Sequence, residues 1–319
     1  MDLRLTPQEI YLLERYTSTE YFAELRDTWA RMVTHVEACL NAFSQNFPGN
    51  YRSRPLPEQP DIVWGNRVLP NFRSTLQSLD TGYILLTHGD VKGLSYAWGP
   101  CNDFKGQMDY WSGWMGETDE NMYGTLLNHA LTLASNITAT EDADWDPGSL
   151  IDYSVERGPL DPPAQWPRYR INQAISVASG ETLTQSGIYM PDVDNSCAQF
   201  LSTHYNEAPP AWVLTGMKDV KHPLTGEKTG QQKIVEKRDC VWYLVERSTD
   251  ALQDSPAPSS GEPQRRRLAA GEACPESGFY FTPAAPGSRR RFEAGERMPA
   301  FDSAYGATIW QWDDDQTSS

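Results

Sequence analysis

Through the first 140 positions apolar residues recur every three or four places; beyond them they fall into short runs broken by glycine and proline. The first pattern predicts helices, the second short strands. Thr6 before Pro7 reads as an N-cap with proline at the first helical position, and Ile10, Leu13 and Tyr16 or Thr17 share one face. Ser18-Thr19 caps a longer helix. Its stripe is Phe22, Leu25, Trp29, Met32, Val33, Val36, Leu40 and Phe43, stopping at Phe47-Pro48-Gly49. Residues 52–61, with three prolines, read as an extended connection. Pro70 opens a third helix over Phe72, Leu76, Leu79, Tyr83, Ile84 and Leu86, closed by Gly89-Asp90. Residues 91–115 mix aromatics with Gly93, Gly99, Gly106 and Gly113 and hold no single period. Asp119 caps a last helix with Met122, Tyr123, Leu126, Leu127, Ala130 and Leu133 on one face.

Residues 139–174 read as a linker or an irregular wrap. They gather Glu141, Asp142, Asp144 and Asp146, then Pro159, Pro162, Pro163 and Pro167, and hold Trp145 and Trp166, whose size predicts docking rather than free chain. Beyond them, Gly180-Glu181 leads to Ser186-Gly187-Ile188-Tyr189, and Gly271-Glu272 leads to Ser277-Gly278-Phe279-Tyr280 at the same spacing. The order continues: Phe200 and Phe292, Pro210-Ala211 and Pro299-Ala300, Val241–Leu244 and Thr308–Trp312. This predicts two copies of a small β-unit, each too small to bury its own face, packed together as one pseudo-symmetric β-domain. Glycine after Ser186 and Ser277 is expected to supply unusual backbone angles before a strand. Leu224-Thr225-Gly226-Glu227 reads as a hairpin tip. The whole is an α+β protein: a helical domain over 1–138, the 139–174 wrap, a first β-unit over 175–248, a linker over 249–270 and a second β-unit over 271–319.

Composition narrows the function. With 39% hydrophobic residues among 319 the chain is globular, and no apolar run nears the ~20 residues of a membrane span. Net charge is −16, with 10 basic against 20 acidic residues in 1–150. Such a chain has no electrostatic reason to bind nucleic acid or an anionic membrane, and it attracts basic protein. Two arginine triplets, 265–267 and 289–291, read as salt-bridged surface. Five cysteines without a CxxC pair fit neither a disulfide framework nor a zinc ribbon. Met1–Pro7 lacks the basic and apolar regions of a secretory signal, which places the chain in the cytoplasm.

Catalytic motifs are missing. The five histidines show no metal-ligand spacing and nothing local brings one to a cysteine; there is no nucleophile elbow and no phosphate loop. Asp142, Asp144 and Asp146 have alternate spacing, but the calcium-loop pattern fails at its twelfth position, Tyr153. The reading is therefore no catalytic residue, no metal and no cofactor.

The segments Cys274-Pro275-Glu276-Ser277-Gly278-Phe279-Tyr280, Arg290–Pro299 and Tyr305–Gln311 together resemble a module of bacterial polymorphic-toxin immunity proteins of the numbered families 71 and 72, associated with type VI secretion. The resemblance is strongest over the C-terminal part and weaker through the first copy and the helices. It implies a non-enzymatic protein that binds and neutralises a cognate toxin. Ser186, Gly187, Tyr189, Ser277, Gly278, Tyr280, Pro299 and Trp310 are then structural repeat positions. Charge makes the partner basic, with a nuclease acting in the cytoplasm as the leading class, and makes Glu141, Asp142, Asp144 and Asp146 its steering surface, with Trp111, Trp114 and Trp145 as anchors. The alternatives are a structural or adaptor component of a secretion system and a hydrolase working through paired carboxylates.

Overall fold

In a computed structural model, which describes residues 5–151, 157–158, 162–163, 165–248, 267–282, 288–300 and 308–313, helices fill the N-terminal region and β-sheets the C-terminal region. The chain divides into two compact units, Met1–Thr249 and Asp250–Ser319.

The first two helices start where the caps predict. α1 (Pro7–Tyr16) follows an extended Thr6, and α2 (Thr19–Gln45) follows Ser18, whose Oγ accepts from the Tyr21 amide at 3.2 Å. The stripe of α2 is buried from Phe22 to Val36 and partly buried at Leu40 and Phe43, and Trp29 at its centre donates Nε1–H to the Phe72 carbonyl at 2.9 Å. Residues 52–61 are not simply extended. They make two 3-10 turns, Tyr51–Ser53 and Leu56–Glu58, under Tyr51, whose hydroxyl donates to Asp61.

Pro70 lies in the first turn of its helix, as expected, but helical turns precede it. α3 (Pro60–Val63), a π-turn over Trp64–Val68 and α4 (Leu69–Thr87) follow without a break. A proline inside an α-helix clashes with the carbonyl four residues back; the wider turn just before Pro70 eases that conflict. Ile84, expected on the stripe, is exposed, because the buried face runs through Leu79, Gly82 and Leu86. Residues 91–107 form a 3-10 segment, Val91–Ala97, and α5 (Trp98–Gln107). The 3-10 segment approaches α4 closely through backbone at Gly93. A Cβ on Gly93 would lie 2.3 Å from the Gly82 carbonyl oxygen. α6 (Glu117–Glu141) starts at Gly116, with φ +84°, and not at Asp119, which lies in its first turn; Met122, in the second turn, is exposed.

Residues 139–174 hold more than a connection. α6 continues to Glu141, Trp145 stacks on Tyr16 with centroids 6.1 Å apart, and Trp166 meets Tyr11 edge-on at 5.5 Å. β1 (Tyr169–Ala178) follows, then β2 (Gly187–Pro191), β3 (Gln199–Leu201), β4 (Ala211–Lys221), β5 (Lys228–Arg238) and β6 (Val241–Arg247). The order β1-β6-β2-β3 is antiparallel throughout. Alternation gives this sheet two buried faces. Ile188, Met190, Phe200 and Val245 join the helical core, whereas Tyr189, Leu201, Trp242 and Leu244 form a separate cluster. The apolar core thus runs from the helices into the sheet. β4 and β5 pair apart from it as a long exposed ribbon, turning at Leu224–Glu227 with Gly226 at φ +71°.

In the second unit β7 (Arg267–Ala269), β8 (Gly278–Phe281), β9 (Arg290–Phe292) and β10 (Ile309–Trp312) pair in the order β7-β10-β8-β9 around Cys274, Tyr280, Phe292, Met298 and Trp310. The same hydrogen bonds recur within each unit. Tyr189 donates to the Gln185 carbonyl at 2.9 Å and Tyr280 to that of Glu276 at 3.0 Å. The Trp242 indole donates to Pro209 at 2.7 Å and the Trp310 indole to Pro299 at 2.9 Å. Ser186 Oγ accepts from the Thr203 amide and Ser277 Oγ from that of Ala294. The partner of Pro299 in this pattern is Pro209, one residue before the Pro210 that letter matching selects. Gly187 also differs from expectation. Its φ is not positive; a Cβ there would lie 2.9 Å from Leu244 Cδ1, so a larger residue would require that side chain to shift. Positive φ falls earlier, at Gly180 (+82°) and Gly271 (+89°).

The second arginine triplet is paired: Arg289 with Asp313, Arg290 with Glu296 at 3.9 Å and Arg291 with Glu293 at 3.0 Å. Arg265 and Arg266, residues 249–266 of the expected linker, and Tyr305-Gly306-Ala307 lie outside the described residues. Among the described residues no helix is long and apolar enough to cross a membrane.

Candidate acidic recess at the end of helix α6

α6 ends in a Schellman pattern. The Asp144 amide donates to the Ala139 carbonyl at 3.0 Å and the Ala143 amide to Thr140 at 3.3 Å. Such a pattern needs a left-handed residue, usually glycine; here Ala143 takes it at φ +52°. The last turn carries Glu141, Asp142 follows as C-cap, and no basic residue is present in that turn. Both acids therefore sit at the negative end of the helix dipole, where carboxylates are disfavoured.

The chain returns to this end through the loop between β3 and β4. Tyr205 on that loop donates to Glu141 Oε2 at 2.8 Å and to Asp142 Oδ1 at 3.0 Å. A phenol has one proton and here faces two carboxylates, so the group is one donor short. Glu141 is 1% exposed, and its Oε1 is buried with no hydrogen-bond partner. Burial pushes the Glu141 carboxyl up, against the Tyr205 hydrogen bond and with the Asp142 charge. Burial also pushes Asp142 up, opposed by Tyr205 and aided by Asp144. Tyr205, half exposed, is driven far above the usual phenol range by burial and by the two carboxylates.

These groups line an open recess of about 80 Å3, with Phe200 and Leu201 as apolar wall and Glu207 as a further acid. Its lining includes Glu141, Asp142 and Glu207 and no Lys or Arg. A second recess of about 110 Å3 is lined by both Arg67 and Asp103. The first can accept a cationic group: the three acids supply charge, with Asp142 and Glu207 exposed, and the apolar wall suits a methylene stem.

Of the residues expected to contact a partner, Glu141 and Asp142 line the recess. Asp144 is exposed beside it, and Asp146 caps a turn through its carbonyl, which accepts from Ser149. The three aspartates do not converge on a point: Asp142 is turned towards Tyr205. Trp145 is not a free anchor. Its indole donates to Thr140 at 2.9 Å and its carbonyl accepts from Gln199 at 2.7 Å. Trp114 is 8% exposed, packed on Trp64 and Phe43, so a partner cannot reach it without unpacking the helices. Trp111 is 54% exposed, and neither it nor Trp114 lines the recess. Tyr205 and Glu207 were not expected; more than 60 residues from α6, they have no local signal and reach it only through the fold.

All five cysteines are free thiols. The expectation that no cysteine meets a histidine is overturned: Cys39 Sγ lies 3.6 Å from His35 Nε2, one turn along α2. The chain matches no family model, no curated protein and no solved structure.

Proposed function

We propose that the chain is an immunity protein that binds a basic protein toxin and seats one of its Lys or Arg side chains in the recess at the end of α6. The observation that carries this reading is Glu141: a buried carboxylate with one oxygen unpartnered, among acids and without a basic neighbour in its lining. Burying a carboxylate so incompletely is costly. A cation seated by a partner beside Asp142 and Glu207 offsets the desolvation of Glu141 through its charge. The likeness of the C-terminal segment to immunity modules supports the same reading, as does the net charge of −16. A toxin that works on nucleic acid fits best, since it presents the cations that a phosphate backbone requires. Its site of action is then the bacterial cytoplasm.

In this reading the sheets of the two units are copies of one β-unit. The common strand order and the paired tyrosine, tryptophan and serine hydrogen bonds support the duplication.

The test is binding to the product of the adjacent gene, with wild type, Glu141→Gln and the triple variant Asp142→Asn, Asp144→Asn, Asp146→Asn. The triple variant is expected to slow association and flatten its salt dependence; Glu141→Gln is expected to speed dissociation. Wild-type rates in both variants would refute the recess as the contact. A second reading, hydrolysis by a carboxyl pair, rests on Glu141 and Asp142 sharing one tyrosine proton. It predicts turnover that Glu141→Gln abolishes without any partner protein present.

A further inference from the structure

A second cluster lies away from the recess, where α2 meets the first turn of α6. His35 and Cys39 are four residues apart on α2, so their side chains share a face. Asp119 of α6 faces them. His35 Nε2 is 3.6 Å from Cys39 Sγ, 2.9 Å from the Asp119 carbonyl oxygen and 3.9 Å from Asp119 Oδ1. One imidazole nitrogen, carrying at most one proton, thus faces a thiol, a carbonyl and a carboxylate. The imidazole nitrogen, the sulfur and a carboxylate oxygen all lie within 4.8 Å of one another.

We propose that His35, Cys39 and Asp119 bind a zinc-class divalent cation that pins α2 to the start of α6. A tetrahedral ion holds nitrogen at about 2.0–2.1 Å and sulfur at about 2.3 Å, which sets the two about 3.5 Å apart. The 3.6 Å separation here matches, and on binding the imidazole nitrogen exchanges its contact with the Asp119 carbonyl for the ion. Imidazole, thiolate and carboxylate together favour a borderline-soft ion over calcium or magnesium. His35 is partly buried, Cys39 buried and Asp119 exposed, so the cluster opens to solvent on the carboxylate side, and water fills the fourth position. Binding replaces the Cys39 thiol proton, which leaves to solvent, and takes up the Nε2 lone pair; the imidazole proton then resides on Nδ1, and the Asp119 carbonyl keeps its place in the α6 helix ladder.

The experiment uses the full chain, reduced and stripped with chelator, titrated with Co2+ and then Zn2+. One equivalent of Co2+ is expected to give tetrahedral visible bands and a thiolate-to-metal charge-transfer band, both erased by Zn2+. Cys39→Ser is expected to lose the charge-transfer band and His35→Gln the tetrahedral bands, each with binding weakened at least about 100-fold. Cys101→Ala, at a partly exposed thiol outside the cluster, is expected to bind as wild type. Melts of the metal-free variants establish that each is folded, and zinc is expected to raise the melting temperature of wild type and not of Cys39→Ser. A spectrum without thiolate character, a charge-transfer band that survives in Cys39→Ser, or a zinc-induced rise in both proteins would overturn the proposal.

Discussion

Glu141→Gln tests the recess without any partner. The amide keeps the side chain's shape and its acceptor for Tyr205 and removes a charge held at 1% exposure. A buried acceptor without a partner costs about 1–3 kcal/mol, and more when charged, whereas the amide left there is neutral. The variant is therefore expected to be more stable than wild type by about 1–2 kcal/mol at about pH 8. For a unit of this size that corresponds to a rise of about 2–8 °C. The sign reverses the habit for carboxylates. Burial raises the Glu141 value in the folded chain, so the folded state holds the proton more tightly than the unfolded state does. Wild-type stability then falls as pH rises through the window between the ordinary and the raised value. Below that window the carboxyl is protonated in both states and the two proteins converge. Thermal melts across acid to mildly alkaline pH read the difference directly. A variant less stable than wild type on the alkaline side, or a gap that does not change with pH, would refute the claim that Glu141 is a desolvated charge.

Ala143→Gly relieves a left-handed alanine at the helix end, and chemical denaturation is expected to show a gain of about 1 kcal/mol. Gly93→Ala drives a Cβ into the Gly82 carbonyl; a loss of about 3 kcal/mol or more is expected in the same assay. Trp242→Phe and Trp310→Phe each leave a proline carbonyl without its indole donor, and each is expected to cost about 1–3 kcal/mol in the unfolding of its own unit.

Much of the fold was legible because caps and periods act locally. Ser18 and the stripe of α2 need nothing from the rest of the chain to be read. The failures sit where a distant group decides. The run through Pro70 depends on a π-turn that no residue type announces, and Val91–Ala97 approaches α4 closely through the backbone at Gly93 and Gly82, which no side-chain period announces. Trp114 and Trp145 look like anchors in a glycine-rich or acidic stretch, and only the tertiary fold supplies Trp64, Phe43, Tyr16 and Gln199 to occupy them. The pair His35–Cys39 was within reach of the sequence, since four residues on a helix is one turn. It escapes notice because Asp119, the third member, lies 80 residues further on.

The recess shows the same division in sharper form. The cluster of acids after residue 140 was visible in the sequence, but an acidic stretch alone is usually a solvated surface. What separates Glu141 from its neighbours is conflict with local rules: an acid at the wrong end of a dipole, an alanine where the backbone favours glycine, and two carboxylates facing one phenol. Each of these lowers stability, and their coincidence at one helix end is hard to reconcile with a purely structural role. Such strain persists when the surroundings over-determine it, and here they do. Trp145 is clamped between Thr140 and Gln199 directly after the turn, and the helical core continues into the sheet beneath. A rigid frame holding an unsatisfied carboxylate is preorganised for a cation, so a partner that supplies one gains the interaction without first ordering the site.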